Sequence, residues 1–246
     1  MTAVERVQLD VAPTQALTER LSHVVRSLVR VRPARWFVLV CTGLSPVLLV
    51  GGWLIADPLQ PASYSPVRQT VSVLAGYGGT DRWIVTSALF VIGACYFVAA
   101  TGLTELPVSA RAGLLITGVA AVGIAVFPEP ADGTTWQHAA ATAIGAVAIA
   151  VWPALVGRRD RFSSALLGVR ASAAVTVVFG ALLAWFALSA WGVGGALGLA
   201  ERVGASVQIC WPFVVAIALR RGRSPSGGDQ MLKRWAPSMR MTSPLR

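Results

Sequence analysis

The chain has 246 residues, of which 55% are hydrophobic and 13% are charged, and its mean hydropathy is +0.64. These values exceed those of a soluble domain with a polar surface, so the composition predicts an integral membrane protein. The basic residues behind the formal charge of +10 avoid the apolar segments. Membrane orientation therefore explains the charge, and no nucleic-acid partner is expected.

Residues 1–35 are mostly polar and form the first predicted unit. Four apolar residues recur in it at helical spacing: Leu17, Leu21, Val24 and Leu28. Arginines occupy other positions around this helix until Pro33 ends the pattern. A basic amphipathic helix of this kind is typical of a segment that lies on the inner leaflet. Because the first apolar run is long enough to span, we expect it to be retained rather than cleaved as a signal peptide.

Six apolar segments follow, each near the ~20 residues that are needed to cross a bilayer core. They are Trp36 to Ala56, Arg82 to Leu103, Ala112 to Phe127, Trp136 to Val156, Ala171 to Trp191 and Val203 to Leu219. The sequence therefore predicts an all-α integral membrane protein with six transmembrane helices in one bundle over residues 36–220. Residues 221–246 are rich in Gly, Ser, Pro and Arg, which predicts a disordered basic cytoplasmic tail.

The basic residues are divided unequally between the two sides of this bundle. With an inside N terminus, eighteen Lys and Arg fall on one side and three, Arg68, Arg82 and Arg202, fall on the other. The positive-inside rule then predicts cytoplasmic N and C termini in the plasma (inner) membrane, and external segments at 57–81, 128–135 and 192–202. The basic tails are expected to contact anionic lipids of the inner leaflet.

The segment "YSPVRQTVSVLAG" between the first two spans predicts a short external helix of about three turns. Ser65 can cap it, Pro66 suits its first position and Gly76 provides a stop. The "TVSVLA" part also alternates as a strand does, but an open strand near lipid leaves backbone groups unpaired, so we prefer the helix. Val67, Val71 and Leu74 then form an apolar stripe. The polar side chains cluster on the opposite face: Arg68, Gln69 and Ser72.

Two further external segments, "FPEPADGTTWQHAAA" and "LAERVGASVQ", bring polar groups to the same membrane level. Together with the short helix they predict a polar rim at the mouth of the bundle. Its candidate ligand-binding residues are Arg68, Gln69, Ser72, His138, Glu201, Arg202 and Gln208. An alternative stays open, in which these groups are ion pairs and caps that hold loops to the bundle, for example Glu201 or Asp132 with Arg68.

No cofactor, metal or catalytic residue is predicted. Cys41, Cys95 and Cys210 all fall in apolar runs and are expected to act as small hydrophobic residues. His138, at the entrance of the fourth span, is expected to form a hydrogen bond at the interface. No cluster of His and Cys has the spacing of metal ligands, and a haem would need a second axial ligand on the same side.

Four segments together resemble the family known as domain of unknown function 998: "LSPVLLVGGWLIA", "YSPVRQTVSVLAGYGGTDRWIVTSALFVIGACYFVAATGL", "FPEPADGTTWQHAAA" and "GLAERVGASVQICWP". The resemblance covers roughly Trp36 to Arg220 and implies a bacterial or archaeal integral membrane protein with about six helices. The residues that match the recurrent pattern are Tyr64, Pro66, Arg68, Thr70, Ser72, Leu74, Pro128, His138, Glu201 and Arg202. The resemblance implies no particular activity, because none is established for the family.

Our main hypothesis is a non-catalytic membrane protein that binds or modulates a lipid headgroup or small amphiphile at the external rim. In it Arg68 contacts an anionic group through paired donors, and Glu201 and His138 orient that group.

Two alternatives remain. A small-solute transporter or channel would use a polar route through Gln208, Thr176 or Thr142, although the middle of the membrane has almost no ionisable residue to couple ions. An intramembrane hydrolase would use Ser72 as nucleophile and His138 as base, but the sequence has no nucleophile elbow or metal-ligand helix.

Overall fold

The computed structural model describes residues 36–157 and 165–221. The predicted N-terminal amphipathic helix and C-terminal disordered tail concern residues outside these ranges. Within the described ranges the chain is all-helical, without a β-strand, as predicted. Six of its helices are long and apolar enough to cross a membrane, which makes the chain a multi-pass membrane protein.

The described helices are α1 (Trp36–Ala56), α2 (Val71–Ala75), α3 (Trp83–Gly102), α4 (Val108–Val126), α5 (Trp136–Val156), α6 (Val169–Ala190) and α7 (Leu197–Arg221). Short 3₁₀ helices lie at Asp57–Leu59 and Ala165–Leu167. All except α2 are candidate membrane spans. The predicted bounds are correct for α1 and α5.

The predicted starts of three spans are late because charged residues lie inside helices, and one of them is Arg170 in α6, which begins at Val169 rather than Ala171. Helix α7 begins at Leu197 rather than Val203 and includes both Glu201 and Arg202. Helix α4 likewise begins before Ala112 and includes Arg111, whose Nε donates to a carbonyl oxygen of α3 at 2.7 Å. A charged side chain can continue a membrane helix when it finds polar partners on neighbouring elements.

The six long helices form a closed ring in chain order, because each packs against the next and α7 packs against α1. A large apolar cluster fills the interior of this ring at the end where α1 begins and includes Val38, Leu103 and Leu219. A smaller cluster at the opposite end includes Ala56 and Leu74, where α2 packs against α1 and α3. The short helix therefore covers one end of the ring.

Helices α3 and α4 approach each other at two glycines. A Cβ on Gly93 would lie 2.9 Å from the carbonyl oxygen of Gly118, and a Cβ on Gly118 would lie 3.0 Å from the carbonyl oxygen of Gly93. Side chains at these positions would push the two backbones apart. Small residues at these two positions therefore permit the close packing of α3 and α4.

A short helix between the first two spans is confirmed, but it is shorter than the three turns predicted from Ser65 to Gly76. Within this segment Val71–Ala75 alone is α-helical, and residues 66–68 form a turn. Gly76 follows the last helical residue, as predicted. The predicted division into two faces is also wrong, because Val67 is exposed and Ser72 is buried.

Contacts with α7 explain why the helix is interrupted. The carbonyl oxygens of Pro66 and Gln69 each accept a hydrogen bond from Nη1 of Arg202 at 2.8 Å. The carbonyl oxygen of Val67 accepts one from the amide of Leu199 at 3.1 Å. In a continuous helix these carbonyls would instead accept from amides four residues further along. The turn therefore replaces helical hydrogen bonds by contacts with α7.

Candidate functional site

Arg202 ties the start of α7 to the loop that follows α1. Its Nη2 lies 2.8 Å from Oδ1 of Asp57 and also donates to the hydroxyl of Tyr64, which itself donates to Asp57 at 2.8 Å. Besides the two loop carbonyls, Nη1 donates to the carbonyl oxygen of Gly198 at 3.1 Å. We call Arg202, Asp57 and Tyr64 the Arg202 clamp. Because both terminal nitrogens of Arg202 are engaged and its side chain is 6% exposed, the clamp holds the loop in place.

The surroundings of the clamp keep Tyr64 protonated. Burial and the hydrogen bond to Asp57 both raise the pKa of Tyr64 above its usual value, against the opposing effect of the Arg202 guanidinium. The guanidinium carbon of Arg202 also lies 5.6 Å from the centre of the Trp53 ring, within the range of a cation–π interaction. The positive charge of Arg202 is thus offset from two sides.

Glu201 points to a different partner from its neighbour Arg202. Its Oε2 accepts a hydrogen bond from the amide of Val71 at 2.5 Å, which satisfies the first backbone donor of α2. It forms no ion pair with the residues that the structure describes. Glu201 therefore anchors α2 on α7 through one of its carboxyl oxygens.

A cavity of about 180 Å³ lies inside the ring, between the two apolar clusters. Residues of all six long helices and of α2 line it, and most of its wall is apolar. Four of the predicted site residues also line it: Ser72, Glu201, Arg202 and Gln208. The ring thus brings residues that are far apart in sequence to one cavity.

Gln208 and Ser72 differ in their hydrogen bonding. Gln208 is buried and its Nε2 donates to the carbonyl oxygen of Phe179 at 3.3 Å, which links α7 to α6. Ser72 is also buried, and its hydroxyl has no hydrogen-bond partner within residues 36–157 and 165–221. Ser72 and Glu201 both line the cavity, and Glu201 binds the amide of Val71, the residue that precedes Ser72.

His138 lies apart from the cavity. Its Nδ1 is 2.8 Å from the carbonyl oxygen of Phe127, and its Nε2 is 3.7 Å from Oε1 of Glu129. The hydrogen bond expected for His138 is thus confirmed. Burial raises the pKa of Glu129 above its usual value, while His138 opposes the rise. Neither ring nitrogen of His138 contacts Ser72 or Glu201, so the hypothetical hydrolase residues are not assembled.

Arg68 is exposed and forms no ion pair with any described residue. The suggested pairs of Arg68 with Glu201 or Asp132 are absent, and Arg202 with Asp57 forms the ion pair of this region instead. Gln69 contributes mainly through its backbone, and its side-chain Oε1 accepts from the amide of Ser65 at 2.7 Å.

Sequence reasoning missed Asp57 and Tyr64 as members of the clamp. Asp57 follows directly after the first apolar run, where α1 ends. An acidic residue at the end of a span could have indicated a partner for one of the arginines on the same side of the membrane. Tyr64 belongs to the recurrent family pattern but was given no role. Across the described parts of the chain, no group of three or more His, Cys, Asp or Glu side chains is placed to hold a metal ion.

The family model described as "Protein of unknown function (DUF998)" matches residues 44–218. The chain belongs to this family. The match confirms the resemblance, and the Arg202 clamp and the cavity both lie within the DUF998 region. No curated protein and no solved structure matches the chain.

Proposed function

We propose that this DUF998 protein binds a small amphiphile inside its helix ring and has no catalytic activity. The observation that carries the proposal is the cavity of about 180 Å³, which has apolar walls and polar groups at the end next to α2. An engineered apolar cavity of about 150 Å³ accepts benzene, so this volume suits a short apolar chain or ring. Apolar walls with a few converging polar groups are typical of small-molecule sites.

The polar contacts of the ligand come from the cavity wall rather than from the loop surface. Arg68, the residue we first expected to contact a headgroup, is exposed and does not line the cavity. Ser72 and Glu201 do line it. The proposal therefore moves the site from an external rim to the interior of the ring.

The packing of the other half of the ring favours binding over passage. Trp152, Leu103, Leu114, Val156 and Val215 are almost completely buried there. Trp152 also donates from Nε1 to a carbonyl oxygen of α4 at 2.7 Å. A ligand that enters from the α2 end thus meets a closed wall of side chains, which supports binding more than a transporter or channel.

We also propose that α2 and the Arg202 clamp face the outside of a bacterial plasma membrane, with both termini cytoplasmic. The eighteen to three distribution of Lys and Arg supports this orientation. The basic tails would then contact anionic inner-leaflet lipids. Reporter fusions after residue 221 and after residue 132 test the orientation, because the two sites should report opposite sides.

Native mass spectrometry of the gently purified protein tests the binding function. Ala205 lines the cavity, whereas Ala184 on α6 is exposed and does not. We expect a defined bound species in the wild type, its loss in Ala205→Leu, which fills the cavity, and its retention in Ala184→Leu, the matched control. Equal retention in both variants would place the ligand elsewhere, and no bound species in any of the three proteins would reject the proposal.

A further inference from the structure

The three partly buried carboxyl groups at the α2 end of the ring differ in their partners. Among the residues that the structure describes, Asp57 pairs with Arg202, and Glu129 lies 3.7 Å from His138. Glu201 lines the cavity and makes no ion pair with a described residue. It is therefore the acidic side chain of the cavity wall that can pair with a cation.

The hydrogen bonds of Glu201 leave one of its oxygens free. Oε2 accepts from the amide of Val71. Oε1 has no hydrogen-bond partner within the described ranges and is not among the buried atoms that lack one, so it remains accessible. A carboxylate in a largely apolar cavity is costly unless a cation or a set of donors compensates it.

Within the described residues, the cavity wall offers no accessible cationic donor to an anionic ligand. Nε of Arg202 and Nε1 of Trp53 have no hydrogen-bond partner among the described residues, but both atoms are buried and inaccessible to water. The terminal nitrogens of Arg202 are already bound to Asp57, Tyr64 and backbone carbonyls. An anionic headgroup would thus meet the Glu201 carboxylate without a free guanidinium to offset it.

We propose that Glu201, assisted by the hydroxyl of Ser72, binds the ammonium group of a single-chain cationic amphiphile whose chain fills the cavity. This inference rests on the proposed function and names its ligand class. The ammonium donates hydrogen bonds to Oε1 of Glu201 and to Oγ of Ser72, and the apolar walls take the alkyl chain. The volume of about 180 Å³ corresponds to a chain of roughly six carbons, by comparison with a cavity that accepts benzene.

Three probes of equal chain length test the charge preference: n-hexylammonium, 1-hexanol and hexanoate. Binding to the purified full-length protein in a neutral detergent is measured by calorimetric titration at neutral pH. We expect hexylammonium to bind at least about tenfold more tightly than hexanoate, since charge-assisted hydrogen bonds contribute more than neutral ones. 1-Hexanol should lie between them.

The variant Glu201→Gln removes the charge but keeps an oxygen that can accept from the amide of Val71. It should lose the preference for hexylammonium over hexanoate. Asp132→Asn is the matched control, because Asp132 is an exposed carboxylate in the same loop as Glu129. This loop lies at the α2 end of the ring, where the carbonyl oxygen of Glu129 accepts a hydrogen bond from the amide of Tyr77. It should leave the order of the three probes unchanged.

The outcomes separate this inference from the function on which it rests. If hexylammonium and hexanoate bind the wild type equally, or if Glu201→Gln keeps the preference, the ammonium site is rejected while amphiphile binding stands. If none of the three probes binds and Ala205→Leu loses no copurified ligand, the proposed function is rejected too. Should Glu201→Gln fail to fold, the order of the probes in the wild type still decides.

Discussion

Arg202 and Asp57 form an ion pair, with 2.8 Å between Nη2 and Oδ1, that joins the start of α7 to the end of α1. These two helices are the first and last of the ring, so the pair lies at the seam where the ring closes. The same guanidinium binds carbonyl oxygens of the turn that precedes α2. One side chain therefore fixes both the closure of the ring and the helix that covers the cavity.

Replacing Arg202 by Gln should destabilise the fold strongly. The substitution leaves Asp57 without its counterion and the carbonyl oxygens of Pro66 and Gln69 without donors. Removing one partner of a buried ion pair typically costs about 3–5 kcal/mol, and we expect the lower part of that range because Asp57 is 15% exposed. Thermal unfolding of the purified variants in detergent measures the loss.

Arg68→Gln is the matched control for this experiment. Arg68 belongs to the same loop region but is exposed and unpaired among the described residues, so its replacement should hardly move the unfolding midpoint. Asp57→Asn should resemble Arg202→Gln in direction. An Arg202→Gln protein as stable as Arg68→Gln would show that the clamp does not hold the ring together.

The sequence was sufficient for the spans because each apolar run is close to the length of a bilayer crossing. Trp36–Ala56 and Trp136–Val156 were predicted to the residue. The start of α7 was predicted wrongly, because two adjacent charged residues, Glu201 and Arg202, are typical of a loop unless their partners are known. Those partners, Val71 and Asp57, lie 130 and 145 residues away in the chain, and hydropathy carries no information about such pairing.

The candidate site was predicted only in part, because hydropathy also carries no information about which polar residues become buried. Ser72, Glu201, Arg202 and Gln208 were chosen as polar residues at one membrane level, and all four line the cavity. Arg68 and Arg202 looked equivalent, since both are arginines on the side with few basic residues. Ring closure distinguishes them, because it buries Arg202 at the seam and leaves Arg68 on the surface.

Gly198→Ala should destabilise the protein through a backbone collision. A Cβ at Gly198 would overlap the carbonyl oxygens of Gln69 and Pro66, which are the oxygens that Arg202 binds. Backbone atoms cannot move aside as a flexible side chain can, so the turn must shift away from α7. We expect a cost of about 1–3 kcal/mol, as for other overpacked positions, measured by thermal unfolding.

Gly180→Ala should change the stability in the opposite direction from Gly198→Ala. Gly180 lies within α6, and a Cβ there would meet no atom within 4 Å. Alanine is favoured over glycine inside a helix, so this variant should be equal to the wild type or more stable by about 0.5–1 kcal/mol. If both alanine variants behave alike, the contact of Gly198 with the turn has no energetic weight.

Glu129 should make stability depend on pH in the acid range. Burial raises the pKa of Glu129 in the folded protein, so the folded state holds this proton more tightly than the unfolded state. Stability from this group is then fully present below the usual pKa of 4.5 and is lost as pH rises from there through the folded pKa. Glu129→Gln cannot titrate and should flatten that part of the profile.

The unfolding midpoint between pH 4 and pH 6 measures this effect, with Asp132→Asn as a control for an exposed carboxylate of the same loop. The wild type and the control should lose stability in parallel over this interval. Equal slopes for Glu129→Gln and the wild type would contradict a raised pKa at Glu129.

Gln208→Leu should cost little stability and yet change the cavity. The substitution removes the hydrogen bond from Nε2 to the carbonyl oxygen of Phe179 at 3.3 Å. Hydrogen bonds between membrane helices contribute about 0.6 kcal/mol on average, because the unfolded segments also find partners within the membrane. Leu fills a similar volume with apolar atoms, so the wall stays closed and becomes less polar.

Thermal unfolding of Gln208→Leu should therefore show a loss of stability of about 0.6 kcal/mol, whereas the affinity for 1-hexanol should be retained. A loss of several kcal/mol would instead mean that Gln208 holds α6 against α7 through more than this one bond.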